Sequence, residues 1–540
     1  MPHTAKGPKL FSMAFFLALV ACGVPVALAV LLPVPPVVSS ENGMLDIVLT
    51  LDRATVTTSS GITMKTRAYN GTVPGPTIRV RPGDDLRVHF KNLLPDQGSS
   101  YVHNEFSAAD ESNVHFHGLY VSGELPSDDA TVTVLPGEDR VYVTSISSDH
   151  MPGTHWLHPH RHGSTALQVG GGAASALIVE DPPGTLPSEV EGAPEVILMV
   201  MQMDLQELER IASRSRDSWF GVAGGTITTL VNGEIKPSIP VAAGEWTRFR
   251  VVYAGWLAEE LSFQIIGCEM ALLAKDGVYI RDFPRMLLGS ASIAVGGRAD
   301  LMVRCPSVSS EYQVTWAGDL LATVTTGAEQ KPSVDLEPWS PTYPAYLESL
   351  LNTEASLGCS CVTKLDRRDV NGRRFEKEDI LHQSYLGAVV EREISAREHP
   401  YHQHVYPFQI ISGFGAGDND RRGSGNIDAN YFLAGDWHDT IEGAGVLRYK
   451  AMRFTGKVML HCHRLDHEDV GMMAVEIVND SGPCVCGAVP LEGWEIAIVV
   501  GASIVGACLV SLGVILVYNR MQHGSWSMCC GKRAANVLPA

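Results

Sequence analysis

The stretch His461-Cys-His-Arg-Leu-Asp-His-Glu-Asp-Val-Gly-Met-Met473 sets one cysteine between two histidines, with His467 five and Met472 ten positions beyond Cys462. A thiolate, imidazoles and a weak thioether are the donors of a blue-copper electron-transfer site, which needs one more histidine from elsewhere. On an extended backbone, neighbouring side chains leave on opposite sides. If Cys462 reaches one metal, His461 and His463 face away from it and can bind others. The stretch therefore reads as a covalent bridge between two copper centres. A structural zinc would want four donors in one compact tetrahedron, which does not suit the histidines found elsewhere at matching spacings.

Those histidines come in pairs. Val114-His-Phe-His-Gly118, Trp156-Leu-His-Pro-His-Arg-His-Gly163 and Glu398-His-Pro-Tyr-His-Gln-His-Val405 each carry two at i and i+2. On a strand such a pair shares one face and can reach one metal cluster. His399, three positions before His402 and beyond a proline turn, can point to the blue-copper side. Short β-branched or alternating segments surround the motifs, such as Ile47–Leu51, Leu86–Phe90 and Trp246–Val252. Gly and Pro clusters separate them, the pattern of a β-sandwich rather than a βαβ fold. Three β-rich blocks are expected, at 41–185, 190–330 and 371–482. A Pro-, Ser- and acid-rich linker at 331–370 joins the last two, with a short helix around Tyr346 to Leu351. Gln206 to Arg216 reads as a short polar helix or loop. The middle block has no histidine and reads as a spacer that holds its neighbours in contact. Met199, Met201 and Met203 alternate on what reads as a core strand.

A chain of 540 residues has room for about three domains. Its 60 acidic against 41 basic residues give a formal charge of -19, which argues against nucleic acid as a partner. Two apolar runs bracket the blocks. Lys6 and Lys9 precede Leu10 to Leu32, so 1–40 reads as a signal peptide or signal anchor. Residues 494–518 read as a transmembrane helix. Arg520, Lys532 and Arg533 follow it, so 519–540 reads as a cytoplasmic tail and the large middle segment as extracellular or lumenal. Of eleven cysteines, Cys22, Cys508, Cys529 and Cys530 fall in the spans or tail, and Cys462 goes to metal. The remaining six fit disulfides in an oxidising compartment. Cys268 is expected to pair with Cys305, and Cys359 and Cys361 with Cys484 and Cys486. The sequons Asn70-Gly-Thr72 and Asn479-Asp-Ser481 make the protein a candidate glycoprotein.

The four histidine motifs, in this order, resemble those of the multicopper oxidases, a family of laccases, ferroxidases, bilirubin oxidases and cuprous oxidases. Asn70-Gly-Thr-Val-Pro-Gly-Pro-Thr77 and Pro82-Gly-Asp84 resemble the family's opening strands. The likeness implies an all-β fold of three cupredoxin-like Greek-key β-sandwich domains, with a catalytic cluster between the first and third. It implies four copper ions. His399, Cys462 and His467 would hold the type 1 copper, with Met472 as axial ligand. His115 and His402 would hold the type 2 copper. His117, His158, His160, His404, His461 and His463 would hold the type 3 pair. His162 matches a third histidine that lines the site without binding. Glu468 resembles the family's proton-relay acid, and Asp128 or Asp129 a second. Asp439 reads as structural and His438 as a non-ligand.

The activity so implied passes single electrons through Cys462 from a reductant to dioxygen, four in all, giving two waters. The reductant is expected to be a phenol or aromatic amine, as in a laccase. The alternative is a cell-surface metallo-oxidase acting on ferrous, cuprous or manganous ions, with a permease partner if it is a ferroxidase. A copper protein that only transfers electrons would need the blue site alone, and the further histidines argue against it. Replacing Cys462→Ser should abolish both the blue absorption and all turnover, because the thiolate supplies both. A serine variant that stays blue and active in an oxygen-uptake assay contradicts the assignment.

Overall fold

Burial alternates along strands such as Asp85–Asn92, where every second residue is buried. Each sheet therefore has one face to hide, and the sheets stack in pairs. The computed structural model describes residues 30–98, 101–214, 221–223, 228–257, 260–414 and 428–487. Within them lie six sheets that form three sandwiches. The apolar run up to residue 29, the run from Trp494 to Tyr518, the tail, and Cys22, Cys508, Cys529 and Cys530 lie outside the described residues. Among the described residues no helix is long and apolar enough to cross a membrane.

In the first sandwich, Met44–Thr57 is flanked by Thr63–Tyr69 and Asp85–Asn92, and Gly153–His158 by His115–His117 and Ser175–Val179. Strand Val37–Ser39 pairs in parallel with Thr77–Val80, and Leu31 bridges to Ser238. Residues 30–40, expected in the N-terminal segment, thus belong to the folded body. The reason is plain in the packing: Val38 joins the first sandwich's core. The linker also ends earlier than 370. Strand Ser360–Asp366 already pairs with Val389–Ser395 in the third sandwich. Before it, a single 3-10 turn at Ala345–Leu347 stands where a short helix was expected. Leu205–Arg214 is an α-helix.

The middle sandwich shows why its central strand is buried on both faces. Every residue of Thr247–Ala254 is buried. Phe249, Val251 and Tyr253 point into the sandwich's own core. Val252 and Ala254 point the other way and pack with Met199, Met201 and Met203 against Trp156 of the first domain. Arg248 and Arg250 share that outer face. Both bind Asp300, and Arg250 also donates to Thr154 at 3.0 Å. The strand that carries Trp156 and His158 is therefore clamped between two domains.

Three disulfides join Cys268 to Cys305, Cys359 to Cys484 and Cys361 to Cys486, as the count of cysteines suggests. The last two bridge the same segments, each spanning 125 residues. Closing one loop leaves little further unfolded-chain entropy for the second to remove. Removing both bridges should cost about 2–4 kcal/mol of stability, and removing either alone well under half of that. Chemical denaturation midpoints of the single and double knock-outs check this. Additive losses would contradict it.

Candidate metal centres

Two short antiparallel pairings place the histidines. His115–His117 runs against Gly153–His158, with His115 opposite His158. Tyr401–Gln403 runs against Gly456–Cys462, with His402 opposite His461. Opposed residues hold their Cβ atoms about 5 Å apart, so each register doubles the histidines on one sheet face. The two faces meet between the first and third domains. The His115 ring stacks on His404 at 3.8 Å and the His117 ring on His402 at 3.9 Å between centroids. With His158, His160, His461 and His463 they form a buried cluster.

Backbone carbonyls fix three of these rings. His158 Nδ1–H donates to Pro159 O at 2.8 Å, His402 Nδ1–H to Asp439 O at 2.9 Å, and His461 Nδ1–H to Cys462 O at 3.0 Å. A carbonyl only accepts, so each of these rings keeps a bare lone pair at Nε2. The buried Nε2 atoms of His115, His158 and His402 have no partner. Those of His160 and His404 each lie 3.2 Å from His461 Nε2. Bare buried lone pairs gather only at a cost unless a cation takes them. Imidazole-only donors of this kind suit copper. Burial pushes the rings down, to about 3 for His158 and about 4 for His160, so they are neutral and ready to bind. His117 is turned the other way. Its Nδ1 faces His463 Nε2 at 3.3 Å, and its Nε2 faces Asp439 Oδ1 and Thr440 Oγ1, both at 3.2 Å.

Cys462 leaves the strand on the opposite side. Its Sγ lies 3.7 Å from His399 Nδ1, and His467 Nδ1 lies 3.1 Å from the same atom. The sulfur and both imidazoles fit within 4.8 Å of one another. Met472 is buried, and its carbonyl accepts the Cys462 N–H at 3.1 Å. Among the described residues Cys462 is the one cysteine outside a disulfide. Burial pushes its thiol up, so binding a metal would release a proton. Burial and then Arg464 push His399 down to about 4 and His467 down to about 2. At 8% exposed, His467 is nearer the surface than any ring of the cluster, and its Nε2 lies 3.8 Å from Asp466 Oδ2.

The acids divide by direction. Asp128 accepts from the Phe116 N–H at 2.9 Å and lies 2.8 Å from His115 Nδ1. Burial pushes its carboxyl well up, against the Phe116 bond. Asp129 turns away, to Lys457 at 3.2 Å and to the Thr131 hydroxyl. Glu468 is fully buried, 3.5 Å from His160 Nδ1 and 3.6 Å from His461 Nδ1. Burial and the adjacent Asp469 push it well up, while the Thr165 hydroxyl opposes them. Asp469 itself accepts the N–H groups of Gly163, Thr165 and Ala166. Burial outweighs those bonds and pushes Asp469 up to about 7, and Glu468, with the Thr165 hydroxyl alone opposing its burial, is pushed up as well.

The middle domain does more than hold its neighbours together. It supplies no histidine, but Arg298 donates to both oxygens of Asp439, at 2.7 and 2.6 Å. Gly296 lies so close to the His463 ring that a Cβ there would sit 2.6 Å from it. A lone arginine and a lone glycine have no periodic signal, so sequence reading passes over both. His162, bonded to Asn104 at 2.9 Å, and His438, bonded to Asp276 at 3.0 Å, stay outside the gathered rings.

Multicopper oxidase family models match residues 50–184 and 344–482, together about half the chain. The chain is 23% identical over 425 residues to a multicopper oxidase of Staphylococcus haemolyticus, covering 77% of this chain and 84% of that one. Among solved structures it resembles a laccase from Pediococcus acidilactici, with TM-score 0.64, 20% identity, 83% of this chain and 94% of that one. It also resembles a Campylobacter jejuni multicopper oxidase described as a metallo-oxidase, with TM-score 0.60, 21% identity, 84% of this chain and 98% of that one. The matched models carry all four histidine motifs between them, and with that match the chain belongs to the multicopper oxidase family.

Proposed function

We propose that this protein is a laccase-like oxidase, taking electrons singly from a small phenol or aromatic amine at His467 and delivering four to dioxygen. One observation carries the reading: a single extended backbone holds a sulfur on one side and two imidazoles on the other. His399, Cys462 and His467, with Met472 as the axial donor, would hold a type 1 copper. His115 and His402 would hold the type 2 copper. The type 3 pair would divide His117, His158 and His463 from His160, His404 and His461. Bound there, four copper ions would supply one-electron transfer and the reduction of dioxygen to two waters.

The chain's own residues do the rest. Cys462 links Sγ through bonded atoms to both neighbouring rings. Its carbonyl also accepts the His461 Nδ1–H, a second and shorter path. Glu468, its carboxyl pushed up by burial and by Asp469, stands between two cluster rings, where it can supply a proton to reduced oxygen. Asp128 holds His115 and is the second carboxyl close enough to serve. Two apolar runs and the disulfides support a membrane-anchored protein whose oxidase domains face the exterior or a lumen.

A second reading has one observation in its favour. Asp466 Oδ2 lies beside the outer edge of His467, 3.8 Å from its Nε2, and its Oδ1 is 3.6 Å from Arg464 Nε. A carboxylate there would favour an oxidisable cation, as in a metallo-oxidase, and a permease could then take up the product. Oxygen uptake with Fe(II), Cu(I) and a phenol compares the two readings. A kcat/KM higher for a metal ion, lowered by Asp466→Asn, would displace the phenol reading.

Two outcomes are expected. Glu468→Gln should slow oxygen uptake by about 10²-fold or more while reductants still bleach the blue site at the normal rate in stopped flow. An unchanged uptake rate removes Glu468 from proton supply. Separately, buried histidines held well below 6.5 in the fold, such as His150 at about 4 and His382 at about 2, take up protons only after unfolding. Between about pH 6.5 and 4 the unfolded chain therefore binds more protons than the folded one, and stability falls as pH falls. The copper-free chain should show a steep drop in its denaturation midpoint across that window. A flat profile contradicts the neutral-histidine assignment.

A further inference from the structure

We propose that Arg298, from the histidine-free middle domain, is a positioning residue of the oxygen-reducing centre: it fixes Asp439, and through it the His117 ring, so that Nδ1 faces His463. The proposal rests on the copper assignment above. The anomaly is His117 itself. His158, His402 and His461 are each turned by a backbone carbonyl on Nδ1. The backbone therefore sets their inward nitrogen. His117 presents Nδ1 inward, and its outward Nε2–H meets only side chains, Asp439 Oδ1 and Thr440 Oγ1. Its orientation is as good as the orientation of that carboxylate.

Arg298 sets the plane of the carboxylate. Two of its N–H groups donate to the two oxygens of Asp439, the bidentate geometry that a planar guanidinium enforces and an ammonium does not. Arg298 is held in turn. Its Nε–H donates to Thr154 O at 3.1 Å, and its backbone N–H to Asp276 Oδ1 at 2.8 Å. The other oxygen of Asp276 accepts from the N–H groups of Asp439 and Thr440, both at 3.3 Å, and from His438. The middle domain thus grips one segment of the third domain twice, by its backbone and by its carboxylate. All of these side chains are buried. The chain also makes room for the guanidinium. Gly118, next to His117, has φ +87, and a Cβ on it would sit 2.1 Å from Arg298 Nη2. A buried ion pair is weak evidence of a stabilising role, because desolvation offsets most of its attraction. A fixed direction for a ligand ring is the better account, since partners of ligating histidines commonly set ring orientation.

The test uses the copper-loaded full-length protein with Arg298→Lys and Arg298→Gln. Arg298→Lys keeps the charge and loses the fork. Both variants should keep the blue type 1 absorption and its bleaching by reductant. Their type 3 absorption should fall, and kcat for oxygen should drop by about tenfold or more with the reductant's KM unchanged. Asp439→Asn, which keeps the side-chain shape, should reproduce the same selective change and serves if the arginine variants do not fold. An unaltered type 3 absorption at full copper content overturns the proposal. So does a loss of type 1 and type 2 signals in step with the folded fraction, which marks a merely structural role. If the wild-type protein itself shows no type 2 signal, the copper assignment fails first, and the proposal with it.

Discussion

The site depends on where one strand sits in its sheet. Gly456–Cys462 is paired on both edges, with Tyr401–Gln403 on one and Met473–Asn479 on the other. A slip of one residue in either pairing would turn His461 and Cys462 onto each other's faces. Two ladders of hydrogen bonds forbid that slip. The division of sulfur from imidazole is therefore enforced by the sheet and not by the metals. The pairing also places His402 opposite His461, so the same constraint assembles part of the cluster.

Around this strand the three sandwiches are joined by polar contacts as well as by apolar ones. Arg248 and Arg250 meet Asp300 and Thr154 where the second domain meets the first. Lys275 and Arg285 meet Asp436 where it meets the third. Such pairs need specific partners at specific angles, unlike apolar surfaces, which slide at little cost. They lock the domains in one arrangement, and rings contributed by two domains need that arrangement to within a fraction of an ångström.

The local patterns were readable in the sequence. His115 and His117 share a strand as their spacing implies, while His160 and His404 fall just beyond the strands that carry His158 and His402, and six cysteines form bridges that the fold contains. What the sequence withheld was direction across a distance. Asp128 and Asp129 are neighbours, and only the course of the turn decides that the first meets His115 while the second meets Lys457. Asp439 looked structural because nothing nearby in sequence explains its charge; its partner Arg298 lies 141 residues away. Val37–Ser39 was assigned to the N-terminal segment because the apolar run ahead of it blurs the boundary, while its parallel partner is Thr77–Val80, some forty residues on.

The rings that would share one copper are far apart along the chain: His160 and His461 are separated by 301 residues. No early portion of the polypeptide carries the whole cluster, because half of its histidines are still to be synthesised. The full set of donors exists only once the last sandwich has closed on the first. Filling of the whole cluster would thereby report that the whole body has been assembled, and a chain truncated anywhere before its final strands would leave its early histidines without their partners from the third domain.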